Sequence, residues 1–438
     1  MNTTAKPLPI DTLLAALQAA PTHSERGRVV QAFGTTLRTS GLRARIGQQC
    51  LVHSLGAEPL RAEVVGLSQG DAILMPLSGL QGVSVDATVE IVADTPQALF
   101  GRALLGRVLD GNCAPLDGKP LPAGLPTRPL EAAAPNPMTR LPVSEVFETG
   151  VRAIDAGLTV GVGQRVGVFA MAGGGKSTLL GMLARNAACD VSVIALIGER
   201  GREVVEFLTD SLGPQGMARS VVVVATSDRP AMERLRAAQV ATAMAEGFRS
   251  EGARVMLLMD SATRYARALR EIGLSVGEPP VRRGFPPSVF AELPRLFERA
   301  GNDDKGSITA FYTVLAEDED GSDPVAEEVR SILDGHIVLS RELGQAGHYP
   351  AIDLLGSASR VFTRLVSPDH QAKALRLRAL MAKHKEVQFL LQVGEYKPGG
   401  DALADDAIAR WPRIEALLRQ PPESRSAFDD TLKRLTLD

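Results

Sequence analysis

Cysteine is scarce: Cys50, Cys113 and Cys189 are odd in number and far apart. Their spacing excludes a disulfide framework and paired thiolate metal ligands, and points to a reducing cytosol. Aromatic residues make up only 4% of the chain, with a single tryptophan, so stacking platforms for single-stranded nucleic acid are poorly supplied. Positive charge is not in excess either. Its 48 Lys and Arg face 51 Asp and Glu, a formal net charge of −3, which removes the basic field that would make nucleic acid the default partner. No apolar run reaches the ~18 residues of a membrane span, and the first residues lack a basic stretch followed by an apolar segment. The six histidines are dispersed without ligand spacing, and no serine, histidine and acid grouping points to a hydrolase triad. What is left is a soluble chain, at most peripheral to a membrane, whose length predicts about two to four domains.

Along the chain, Ile10, Leu13, Leu14 and Leu17 repeat at helical spacing after Pro9, predicting a short first helix. It either docks on its own domain or forms an arm that touches a partner or a membrane. From Gly27 to Asp94, short β-rich runs (Arg28–Val30, Cys50–His53, Ala62–Val65, Ala72–Met75, Val89–Val92) alternate with glycine-bearing turns, which predicts a small β-barrel. Pro115 to Pro142 reads as irregular connection. From Arg165 onward, apolar runs at 191–197, 220–225, 255–259 and 308–315 alternate with helical intervals, the pattern of a parallel sheet covered on both faces. After about Pro368 the apolar positions Leu375, Leu377, Leu380, Met381, Val387, Leu390 and Leu391 continue in helical register. The fold class is α/β, with an N-terminal barrel and a C-terminal helical lobe.

The most informative stretch is Ala170-Met-Ala-Gly-Gly-Gly-Lys-Ser177, set between the apolar run Arg165-Val-Gly-Val-Phe169 and the helix-like Thr178-Leu-Leu-Gly-Met-Leu183. Strand, glycine loop and helix make a phosphate cradle: backbone N–H groups close on a polyphosphate, Lys176 adds charge, and Ser177 offers a hydroxyl to Mg²⁺. Ala172, Gly173, Gly174, Gly175, Lys176, Ser177 and Thr178 form the candidate nucleotide-binding set. The loop departs from the regular pattern at Ala170, which stands where glycine is usual. Bulky Met171 follows, and crowding of the phosphates there would slow turnover.

Hydrolysis also needs a metal anchor, a group that orients water and a positive charge for the transition state. Asp260 closes the strand Val255–Met259, where open α/β sheets bind ligands; it either holds the metal through water or caps the next helix. Glu199, after the strand ending at Ile197, is the candidate base, with Arg200 reaching the terminal phosphate and Glu203 supporting the metal's water shell. The other reading of these three is a solvated helix start with local ion pairs. Arg360 is either a charge that reaches a neighbour's nucleotide or an ordinary surface ion-pair partner, and Tyr349 either stacks on adenine or is half-buried. Arg282 and Arg283 lie in a proline-bearing loop that is either a solvated turn or a contact surface. The acidic run Glu317–Asp320 with Asp323 reads as solvated.

Taken together, Gly106-Arg-Val-Leu-Asp-Gly111, Thr149-Gly-Val-Arg-Ala-Ile-Asp155, the loop at Lys176, Gly198–Glu203, Ser288–Arg295, Ile332–Arg341 and His348–Arg360 resemble the type III secretion ATPases. These are the injectisome and flagellar relatives of the catalytic subunit of F-type rotary ATPases. The resemblance covers nearly the whole chain, and Gly277–Pro287 with Arg330–Asp334 favours the injectisome branch. It implies an N-terminal segment (1–24), a barrel (25–96), a RecA-like P-loop core (97–366) and a C-terminal helical domain (367–438), assembled as a homohexamer. The ring would sit in the cytoplasm on the inner-membrane secretion apparatus, peripheral to its export gate. By the same match Glu199 is the base, Arg360 an arginine finger acting across the subunit interface, and Tyr349 part of the adenine pocket. The implied function is MgATP hydrolysis that releases chaperones from export cargo and unfolds it. Implied partners are a central stalk facing Gly277–Pro287, a stator or regulator at the N-terminal segment, and chaperone–effector complexes at the C-terminal lobe. A rotary synthase subunit, a nucleic-acid-translocating hexamer and a nucleotide-gated scaffold are the rival readings.

Overall fold

A computed structural model describes residues 26–171, 173–315 and 323–437. The predicted helix at Ile10–Leu17, the run Glu317–Asp320 and Ala172 lie outside the described residues. The chain divides into two compact units, Met1–Pro96 and Gln97–Asp438.

In the first unit, strands β1 (Arg26–Phe33), β2 (Thr36–Ser40), β3 (Gln49–His53), β4 (Leu60–Ser68), β5 (Asp71–Pro76) and β6 (Thr88–Ala93) close into a barrel in the order β1-β2-β5-β4-β3-β6. Alternation drives closure. Val29, Leu37, Cys50, Val52, Val64, Leu74 and Val89 point inward and are essentially inaccessible, while their neighbours face outward. β2 is absent from the sequence reading because its only apolar residue is Leu37; its pairing with β1 through a turn at Gly34, φ +57°, creates it. Burial pushes the Cys50 and Cys113 thiols up to about 11, so both stay protonated and unreactive.

The second unit is built on strands β7 (Val108–Asp110), β8 (Arg165–Ala170), β9 (Val191–Ile197), β10 (Ser220–Ala225), β11 (Arg254–Asp260), β12 (Ser307–Leu315), β13 (Gly335–Leu339) and β14 (Ile352–Ser359), ordered β14-β13-β8-β12-β11-β9-β10-β7. All neighbours run parallel except the antiparallel pair β13 and β14. β9 and β10 are buried at every position, as continuous apolar runs require. Because β8, β12, β11 and β9 are parallel neighbours, their carboxyl ends line one edge, and the residues that follow them converge there.

After β14 the chain is helical, through Pro368–Gln392, Ala402–Leu418 and Phe428–Arg434. Proline sits at the first position of Pro368–Gln392 and Ser367 caps it, as helix starts favour. Only part of the apolar register is buried: Leu377, Leu380 and Val387 face inward, whereas Leu375 and Leu390 are exposed, since one face of a helix meets the core. The Arg152 guanidinium donates to the carbonyls of Leu417 at 2.8 Å and Ala416 at 3.3 Å and to that of Arg419, tying the end of Ala402–Leu418 to the helix α1 (Arg152–Gly157).

Within α1, Asp155 is fully buried. It accepts from Thr149 N at 3.0 Å, Thr149 Oγ1 at 2.7 Å and Gly150 N at 3.0 Å. Burial outweighs these donors and pushes the carboxyl from 3.8 up to about 7. The folded state therefore holds a proton that the unfolded chain releases, and stability drawn from this site is lost as pH rises from about 4 through about 7. The apparent Tm gap between the parent and the non-titrating Asp155→Asn variant is expected to narrow from about pH 5 to about pH 8. A gap that widens over that range contradicts the assignment.

Candidate active site

The phosphate loop follows β8. Gly173 (φ +80°) and Gly175 (φ +77°) are left-handed, a conformation that costs glycine little. Gly174 N donates to Met171 O at 3.1 Å and closes the loop on itself. Helix α2 (Lys176–Asn186) then begins with no side-chain cap, so its first amides face the loop as an anion site. Ser177 is exposed and Thr178 half-buried in that first turn. Tyr349 lies against the loop: a Cβ on Gly175 would stand 3.0 Å from Tyr349 Cε1.

Three strand ends meet at Lys176. Its Nζ donates to Asp260 Oδ1 at 2.7 Å and to Glu199 Oε1 at 3.0 Å. All three side chains are largely buried, 14% exposed for Lys176, 6% for Asp260 and 11% for Glu199. Burial opposes the ammonium, but the two carboxylates outweigh it and raise the Lys176 pKa, so the lysine stays charged. One cation between two anions leaves a local excess of negative charge. A phosphate that takes the lysine frees both carboxylates for other work.

The remaining predicted residues are placed apart from this cluster. Arg200 is 80% exposed and pairs with Glu203 at 3.6 Å, an arrangement of the local kind. Arg360 is exposed after β14, its backbone N–H donating to Asp334 O at 2.9 Å and Nη2 to Arg330 O at 3.4 Å. The capping alternative for Asp260 fails: Ser261 caps the helix Ala262–Ser275, accepting from Arg264 N. Asp323 is not simply solvated; it caps Pro324–Ile332. Arg282 pairs with Glu327 at 2.6 Å.

Two residues at the site were missed. Thr313 Oγ1 donates to Asp260 Oδ1 at 2.7 Å and fixes that carboxylate; a threonine at a buried position of the apolar β12 was the available signal. Arg264 packs on Gly198, where a Cβ would stand 3.1 Å from its side chain, and its buried Nε has no hydrogen-bond partner. Nothing in the local sequence marks it, because its contact with Gly198 arises from the pairing of β9 with β11.

The ATP synthase alpha/beta family nucleotide-binding domain matches residues 150–359, and the T3SS EscN ATPase C-terminal domain matches residues 366–436. The chain is 54% identical over 432 residues to the type 3 secretion system ATPase of Xanthomonas euvesicatoria, covering 98% of each. It is 46% identical over 440 residues to the flagellum-specific ATP synthase of Salmonella typhimurium, covering 98% of this chain and 96% of that one. The assembled ATPase EscN from the enteropathogenic E. coli type III secretion system, solved in complex with its central stalk EscO, is similar at a TM-score of 0.86 and 45% identity. That match covers 94% of this chain and 99% of the other.

Proposed function

Because the chain belongs to the type III secretion ATPases, ATP-hydrolysing P-loop enzymes, we propose that it powers protein export at the base of an injectisome. In this reading it releases chaperones from export cargo and unfolds that cargo. The observation that carries the catalytic part is Lys176 held between Glu199 and Asp260 at the carboxyl edge of a parallel sheet. ATP enters against the loop amides of 173–178, with Tyr349 beside the base. Lys176 swings from its carboxylates to the phosphates, and Glu199, relieved of the ammonium, orients the attacking water. Ser177 and Asp260 would hold Mg²⁺, with Glu203 behind them in its water shell. Hydroxyl and carboxylate oxygens suit that hard cation, and the contacts of Asp260 with Lys176 and Thr313 both fall on Oδ1. Held there, the metal would supply charge neutralisation on the phosphates. Arg200 approaches the terminal phosphate.

Arg360, exposed at the end of β14, completes the site of an adjacent copy, which makes the working form a homohexameric ring. A central stalk, a stator or regulator and chaperone–effector complexes are its partners, and the ring works in the cytoplasm beneath the inner-membrane export gate. Among the described residues, no helix is long and apolar enough to cross a membrane. The 1–24, 25–96, 97–366 and 367–438 divisions serve, in this proposal, as docking segment, ring-forming barrel, motor and cargo-facing lobe.

Lys176→Ala tests the assignment. It leaves two buried carboxylates without their cation and removes the phosphate contact, so ATPase activity and effector export should both fall to background in a strain carrying only the variant. Parental turnover in this variant would overturn the assignment.

A further inference from the structure

A second buried polar cluster lies at the opposite end of β8 from the phosphate loop, about 17 Å away along the strand. Gln164 is completely inaccessible. Its Oε1 accepts from Gly161 N at 2.9 Å, and its Nε2 donates both to Asp334 O at 3.1 Å and to Ser359 Oγ at 3.2 Å. The next residue, Arg165, clasps the Asp334 carboxylate through Nε at 3.0 Å, Nη2 at 3.1 Å and its backbone N at 3.1 Å, and its carbonyl accepts from Asp334 N at 2.9 Å. Asp334 O is also the acceptor of the Arg360 backbone N–H. Gln164 and Arg360 thus share one carbonyl, and Gln164 holds the residue immediately before Arg360 as well. A side chain at Gly335 is excluded: its Cβ would stand 2.8 Å from Ala358 O and 3.1 Å from Gln164 Nε2. At the other end of the strand, the Phe169 ring carries the Arg330 guanidinium 4.7 Å from its centroid, and Arg330 O receives Arg360 Nη2.

We propose that Gln164 and Asp334 are positioning residues for Arg360, so that the strand ending in a subunit's own phosphate loop also sets the root of the guanidinium it offers its neighbour. This rests on the reading of Arg360 as a residue acting across the interface. None of the cluster touches the Lys176 carboxylates; it acts through the main chain at 359–360. Displacing a catalytic group by about 1 Å costs up to about a hundredfold in rate, so the linkage acts on turnover while nucleotide binding is spared.

The test measures kcat and KM for ATP on the full-length assembled protein carrying Gln164→Leu, Asp334→Asn or Ser359→Ala, alone and combined with Arg360→Ala. Gln164→Leu is expected to lower kcat about ten- to a hundredfold with KM within about twofold, and to cost nothing further once Arg360 is alanine. Ser359→Ala removes a single hydroxyl and keeps the fold safe; it should lower kcat about two- to tenfold with the same dependence on Arg360. Parental kcat in Gln164→Leu and Ser359→Ala while Arg360→Ala is impaired overturns the positioning role and leaves the finger standing. Losses that multiply in the double variants overturn it too. Full turnover in Arg360→Ala sinks the finger and the positioning role together.

Discussion

Glu199→Gln should lower steady-state ATP turnover by about 10²- to 10⁴-fold, the range in which a positioned general base contributes. The substitution keeps shape and one oxygen that can accept from Lys176 Nζ, so the contact seen at 3.0 Å survives in a neutral form. The buried cluster loses one of its two negative charges, which removes the local excess and leaves Lys176 matched by Asp260 alone. Nucleotide should therefore bind at least as tightly as in the parent, and the variant should accumulate in the ATP-bound state. Fluorescent-nucleotide titration alongside phosphate release separates these terms. Turnover within about twofold of the parent would remove Glu199 from the mechanism, because no isosteric loss of a true base is so mild.

Arg360→Ala should be as damaging, by about 10³-fold or more, since a guanidinium supplied in trans to a phosphoryl transfer contributes on that scale. Arg360 makes no hydrogen bond to Lys176, Glu199 or Asp260 in its own chain, so in the proposed ring its guanidinium acts on another copy. Mixing gives the decisive measurement. An Arg360→Ala subunit retains its lysine and a Lys176→Ala subunit retains its arginine, so an equimolar random ring restores about a quarter of the sites at their shared seams. Two dead proteins that regain activity on mixing establish the shared site. Mixtures that stay at background, with ring assembly verified, would return Arg360 to the role of a surface arginine.

The polar half of the site was harder to read than the phosphate half. Strands β13 and β14 escaped the sequence reading although Ile332–Arg341 and His348–Arg360 stood out as segments. β13 alternates buried and half-buried residues, and β14 is an antiparallel edge strand on a mainly parallel sheet, so neither shows the continuous apolar run that marked β9 and β10. Missing them hid what surrounds Arg360. Proximity to Glu199 in the chain is all that groups Arg200 and Glu203 with the site. The structure pairs them with each other at the exposed start of the helix Gly201–Glu206.

The residues alone determined the phosphate loop, its lysine and the strand-end carboxylates at Glu199 and Asp260. Those features depend on spacing within a few residues, where an apolar strand, two left-handed glycines and a helix start leave the backbone little choice. Tertiary structure decided which side chains meet. Thr313 reaches Asp260, Arg264 packs on Gly198, and Gln164 grips the root of Arg360 from 195 residues away. Each of these contacts is created by strand register, parallel for Thr313 and Arg264 and antiparallel for Ser359, and register is settled by burial summed over the whole sheet. No local pattern around the individual residues encodes it.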